Sequence, residues 1–152
     1  MQITFGLLLD GEHGWRPTNR LGMPVLGPLG LLNLLETRLG LLRAECAHAQ
    51  RVTQYRECLK QCDTPDRFYH ASFGIDPIGT SASLLSWRDA WYLHGWNGEA
   101  PSGAGIRIAD IAAVETAARS LLVPSIGERL VRVAEFLSRQ QSKIESVELV
   151  DP

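Results

Sequence analysis

VLGPLGLLNLLETRLGLL, residues Val25 to Leu42, is the stretch whose reading decides the fold. Pro24-Val25-Leu26 is a short apolar run that meets a turn, Gly27-Pro28-Leu29-Gly30, and passes into a leucine-rich helical pattern opened by Leu31 and Leu32. Strand, glycine turn and helix in that order place unpaired backbone N–H groups and partial positive charge where α/β domains hold phosphate. A working phosphate loop of the G-x-x-x-x-G-K-[ST] kind ends in lysine and a hydroxyl. Here Gly30-Leu31-Leu32-Asn33 offers neither. Gly27, Pro28, Leu29, Gly30 and Asn33 therefore mark a degenerate phosphate-loop position that binds no cofactor. Leu31, Leu32, Leu34 and Leu35 are expected to plug the helix start with apolar contacts.

On either side of this stretch the chain reads as alternating elements. Gln2–Leu9 is an apolar, partly β-branched run stopped by Asp10-Gly11, a strand and a turn. Glu12 to Met23 is polar and broken by glycine and proline, a loop. Leu35, Leu39, Leu42, Cys46, Ala49, Val52 and Leu59 recur at mostly three- and four-residue steps. They predict one helix from near Pro28 to about Lys60, buried on all sides at its start and projecting, bending near Gly40, or packing on something outside this chain. Asp63-Thr64-Pro65-Asp66 ends it. Phe68–Phe73 alternates large and small side chains as a strand would. A helix over Ser81–His94, capped by Asp76 or Thr80 and closed by Gly95, aligns Leu84, Trp87 (or Arg88) and Trp91. Ile108–Leu122 is the next helix, stopped by Pro124. Ser125 and Glu128 form a capping box for another, with Ile126, Leu130, Val133, Ala134 and Leu137 inward and Glu128–Arg132 and Glu135–Arg139 pairs outward. Ile144–Val150 is a final strand. The order predicts an α/β fold in one domain over 1–152, with a small, largely parallel sheet flanked by helices. A chain that stops at Asp151-Pro152 straight after a strand leaves a sheet edge open, and is expected to be the N-terminal fragment of a longer chain.

Composition narrows the function classes. The 152 residues are 45% hydrophobic and 21% charged, as in an ordinary globular domain. A net charge of −2 argues against a broad electrostatic footprint for nucleic acid. Arg38 and Arg43 interrupt the leucine-rich helix, which therefore falls short of a membrane span. Three cysteines and no cleavable leader point to a reducing, cytoplasmic setting.

Candidate chemistry is sparse. Cys58 and Cys62 stand at i,i+4 with Cys46 further back, a weak metal pattern that lacks two ligands, so no metal site is expected. His13, His48, His70 and His94 lie on four separate elements without a nucleophile or carboxylate in a catalytic signature. Trp87, Trp91, Trp96 and Tyr92 carry the chemistry to stack nucleic-acid bases, although helical spacing favours a core role. Arg88-Asp89 among them reads as a pair anchoring the helix rather than an active-site dyad. No catalytic residue is assigned.

Three segments together carry a family resemblance: GPLGLLNLLETRLGL, FYHASFGIDPIGT and TSASLLSWRDAWYLHGW. The chain resembles the N-terminal region of inactivated superfamily I helicases, the AddB-like subunits of bacterial helicase–nucleases whose distant C-terminal part carries a PD-(D/E)XK nuclease. The resemblance covers most of residues 1 to 150. Its motif comprises Thr80, Leu84, Leu85, Trp87, Arg88, Asp89, Gly95 and Trp96, which it marks as structural. It implies a degenerate P-loop NTPase domain of the helicase 1A type, with no ATP hydrolysis, in a DNA double-strand-break repair and recombination protein. Partners so implied are a helicase–nuclease subunit and duplex DNA in the longer protein, with no membrane and no small-molecule substrate in this part. A stand-alone protein-interaction domain with no DNA role is the alternative.

Overall fold

The structure, a computed structural model, describes residues 1–10, 22–41, 46–139 and 144–150. His13, Arg43, most of the Glu12–Met23 loop and the terminal Asp151-Pro152 lie outside the described residues. The chain divides into two compact units, Met1–Arg43 with Leu130–Pro152, and Ala44–Arg129.

The first unit carries a three-stranded parallel sheet in the order β2-β1-β3, built from β1 (Gln2–Phe5), β2 (Val25–Leu26) and β3 (Ser146–Leu149). Thr4 pairs with Val25, and Ile3 with Val147. Only Ile3 of β1 is buried, and every residue of β3 is exposed. β1 stops at Phe5 rather than Leu9. Leu7 to Asp10 instead fold as a turn that leaves Leu7 and Leu8 exposed.

Helix α1 (Pro28–Leu39) follows β2 directly. It ends where Gly40 takes the left-handed conformation, φ 67°, and the Leu41 N–H donates to the Glu36 carbonyl at 2.9 Å. That C-terminal motif needs a residue without a Cβ penalty, and it divides the long helix expected from 28 to 60 into two. Nor is the start of α1 buried on all sides. Leu32 and Glu36 are buried, Leu31, Leu34 and Leu35 are half-buried, and Leu29 is 42% exposed.

The second unit is helical. It comprises α2 (His48–Cys62), α3 (His70–Ile75), α4 (Pro77–Leu93), α5 (Ile106–Leu121) and the beginning of α6 (Ile126–Arg139). α2 packs against α4 and α5, and α3 against α4. Tyr55, Cys58, Leu59, Tyr69, Leu85, Ile111, Val114 and Ala118 form the centre of its core. Phe68–Phe73 is not a strand. Tyr69 and Phe73, one helical turn apart, both turn into the core with their rings edge to face at 6.2 Å. Asp76 caps α4 by accepting from the Gly79 N–H at 2.9 Å, and Pro77 follows at the first helical position.

The α/β expectation is therefore corrected. Among the described residues six helices outweigh ten strand residues, and the small parallel sheet does not constitute a P-loop NTPase domain of the helicase 1A type. The physical reason is where apolar area is buried. The larger core belongs to the helices of the second unit, whereas the sheet has two short edge strands around one central strand. Along α6 the expected inward stripe also fails in part: Val133 is buried, but Ile126 and Leu130 are 43% and 45% exposed.

Candidate functional site

The start of α1, where the sequence predicts a degenerate phosphate loop, is filled by a carboxylate of the chain itself. Leu29 and Gly30, at the first turn, donate their N–H groups to Oδ2 and Oδ1 of Asp10, the latter at 3.0 Å. Gly27 is the residue before the helix, Pro28 opens it, and the Leu31 N–H returns to the Gly27 carbonyl at 2.8 Å. A Cβ on Gly27 would lie 2.4 Å from the Asp10 side chain and backbone, so glycine is what lets the Asp10 turn close over the helix. The unpaired donors and the positive helix end are thereby matched to an anion inside the chain. Asn33 lies deeper in α1, and its carbonyl accepts from the Thr37 hydroxyl at 2.8 Å. Of the leucines expected to plug this start, Leu32 is buried and Leu31, Leu34 and Leu35 are half-buried, beside the polar cap.

Helix α4 presents a second constellation, which lies in the other unit. Ser81, Leu84, Leu85, Arg88 and Tyr92 form its buried stripe, while Trp87 faces outward, 40% exposed. Arg88 is fully buried. Its Nε donates to Glu115 of α5 at 2.9 Å, and its two terminal nitrogens donate to the Glu128 carboxylate at 2.8 and 2.9 Å. Tyr92 adds a hydroxyl donor to Glu115 at 3.0 Å, with its ring under the Arg88 guanidinium at 4.6 Å. Glu128 also closes the capping box of α6, accepting from the Ser125 N–H at 2.7 Å while its own N–H donates to the Ser125 hydroxyl. The capping box was legible in the sequence. The surface pair Glu128–Arg132 is replaced by the inward Arg88 contact.

Asp89 continues the cluster. It receives a bidentate contact from Arg51 of α2, whose Nε also reaches the Val123 carbonyl at 3.0 Å. Arg88-Asp89 thus ties α4 to α2, α5 and α6 by paired, charge-assisted bonds. Burial works against the charged form of Arg88. It is outweighed by the hydrogen bonds to Glu128 and Glu115, so the guanidinium is held above its ordinary pKa. Burial likewise opposes the charged Glu128, yet Arg88 and Ser125 hold its carboxyl below the ordinary value. Burial, then the neighbouring Glu115 charge, pushes Tyr92 up to about 12. Arg88 and Glu128 thus hold each other in their charged forms, a contact that fastens α4 to α6.

The remaining motif residues serve the same helix. Leu84 and Leu85 enter the core, Thr80 is half-buried on the first turns, and Gly95 closes α4 with φ 87°. Trp96 packs edge-on to Trp91 and Tyr92 at 5.4 and 5.2 Å and donates its indole N–H to the Glu99 carbonyl. Of the aromatic group, Trp87 alone stays open to solvent. Cys58 is buried with its thiol bonded to the Gln54 carbonyl, Cys62 is half-buried, and Cys46 lies before α2. His70 pairs with Asp63 at 3.0 Å, His94 contacts the Ala90 carbonyl, and His48 begins α2, so these three do not converge. The described residues hold no cluster of three or more metal-ligating side chains. None of their helices is long and apolar enough to cross a membrane.

Neither family models, curated proteins nor solved structures gave a match to this chain. Two features escaped the sequence reading. Asp10 is separated by 19 residues from the helix it caps, and Glu115 by 27 from Arg88. Neither separation carries a periodic signal.

Proposed function

We propose that this chain is a non-catalytic module of a DNA double-strand-break repair helicase–nuclease, of the kind its sequence resembles, and serves as a scaffold for a partner subunit and duplex DNA. The observation that carries the reading is the Asp10 carboxylate on the first turn of α1. A phosphate approaching that turn meets a negative charge and donors already engaged, so nucleotide binding there is opposed electrostatically and sterically. The scaffold role does not depend on a P-loop architecture, because surface and packing can serve an assembly after a catalytic site is gone. The Arg88 cluster supports the same role by holding four helices in fixed register.

The native gene product is expected to bind DNA ends with an affinity that falls steeply as salt is raised. Absence of binding to duplex, tailed or single-stranded DNA at low salt overturns the proposal. The alternative, a protein-interaction module without DNA, draws on one observation. Ile75 and Ile78, at the corner between α3 and α4, are 88% and 61% exposed. A partner subunit captured by the wild type but lost with Ile75→Asp, in a protein that binds no DNA, would favour that reading.

A further inference from the structure

In the second unit a groove of about 520 Å³ opens between α3, the first half of α4 and the start of α5. Phe68, Trp87 and Arg107 line it together with the hydroxyl residues Ser72, Thr80 and Ser83. The Arg107 guanidinium lies 6.0 Å from the ring centres of both Phe68 and Trp87. Three features distinguish this place from ordinary surface. Trp87 is a large aromatic side chain left 40% exposed on a helix whose other tryptophan, Trp91, packs against the core. Arg107 stands in the first turn of α5, where the helix dipole disfavours a cation, and no acidic residue shares that turn. Among the described residues no carboxylate pairs with it, whereas Arg51, Arg67 and Arg88 each have one. The hydroxyls of Ser72, Thr80 and Ser83 are likewise unbonded within the described residues. Asp76, the carboxylate in the groove, is engaged in capping Gly79.

An exposed indole beside a guanidinium without a carboxylate partner and free hydroxyls matches a ligand with a flat apolar face, a negative charge and hydrogen-bonding edges. We propose that this groove holds one nucleotide of single-stranded DNA, with the base stacked on Trp87, the phosphate on Arg107 and the base or sugar edge at the hydroxyl row. The assignment rests on the DNA reading above and adds to it the strand state and the residues of contact. Stacking on an aromatic face tolerates every base, so the groove reads no sequence. Its volume falls within the range of ordinary small-ligand pockets, which suits one nucleotide at a time.

The test titrates oligothymidylate into the protein and follows both tryptophan fluorescence and the anisotropy of a labelled strand. Free thymidine monophosphate, a duplex of the same length and oligouridylate are run alongside. The wild type should bind oligothymidylate with fluorescence quenching. Trp87→Ala should weaken binding roughly tenfold, the loss of about one stacked base. Trp87→Phe keeps a ring and should retain most of the affinity while losing the quench, which separates stacking from a folding defect. Arg107→Gln should reduce the slope of log affinity against log salt by about 0.7, one phosphate contact on a single strand.

Oligothymidylate affinity unchanged in Trp87→Ala overturns the groove assignment. So does tighter binding of oligouridylate, or monophosphate binding as strong as that of the oligonucleotide. Duplex binding that ignores both substitutions, with no single-strand binding, overturns this inference and leaves the scaffold proposal standing. Binding to none of the nucleic acids overturns both.

Discussion

Replacing Arg88 with methionine is expected to be the most damaging single substitution in the helical unit. Methionine keeps much of the side-chain volume but removes the guanidinium donors of Arg88 to Glu115, Glu128 and Asp89. Glu128, 19% exposed at its side chain, retains Ser125 as a partner. Glu115 is worse placed: its side chain is 3% exposed and keeps only the Tyr92 hydroxyl. Removing one member of a buried ion pair costs about 3–5 kcal/mol, because the other charge is left desolvated and unpaired. For a chain of this length that corresponds to a midpoint lowered by roughly 6–20 °C, at about 2–4 °C per kcal/mol.

Urea unfolding followed by far-UV circular dichroism at pH 7 measures the loss. Adding Glu115→Gln to Arg88→Met should return part of it, since the stranded charge is gone. The pH dependence has a definite sign. Glu128 has a folded pKa below its ordinary 4.5, so its contribution is complete above about pH 4.5 and disappears as pH falls through the lowered folded value. The variant has lost the arginine that depresses that pKa, so the gap between the two proteins should narrow on acidification. A loss below about 1 kcal/mol at pH 7, the worth of a surface pair, would refute the account of Arg88 as the buried fastening of α4.

Asp10→Ala should cost about 1 kcal/mol, as loss of an N-terminal cap does, and should speed hydrogen exchange at the Leu29 and Gly30 amides. Unchanged exchange at both amides would remove the cap. Burial pushes the Cys58 thiol up to about 11, so iodoacetamide at pH 8 should leave it unmodified in the native protein and alkylate it in urea. Peptide mass mapping reads the site, and rapid native labelling of Cys58 would contradict the packing of α2.

Local chemistry made parts of the fold readable. The Ser125–Glu128 box, the Asp76-Pro77 start and the Gly95 stop each act within three or four residues, and each stands in the structure. Misreadings came where a short pattern fitted two periods. Tyr69 and Phe73 satisfy strand alternation and a helical i,i+4 step equally, and packing against the helical core decides between them. Gly40 was legible as a bend, but whether a glycine bends a helix or ends it depends on the left-handed conformation it adopts. Arg88-Asp89 is legible as an anchor of its helix, but the partners of Arg88 come from α5 and α6, beyond local spacing, and a buried arginine is tolerable only when such partners exist. Spacing admits either Trp87 or Arg88 beside Leu84, and the buried stripe takes Arg88. One step along the helix separates Trp87 from Arg88, and that step places Trp87 in the groove instead.

The central claim is that the first turn of α1 is capped by an anion from within the chain, the Asp10 carboxylate on the Leu29 and Gly30 N–H groups, which leaves no donors there for a nucleotide. Calorimetric titration of ATP with Mg²⁺ into the protein tests it most directly. The account predicts no saturable heat and, by ligand linkage, no rise in melting temperature at millimolar nucleotide. Saturable binding that shifts the backbone amide signals of Leu29 and Gly30 would contradict it.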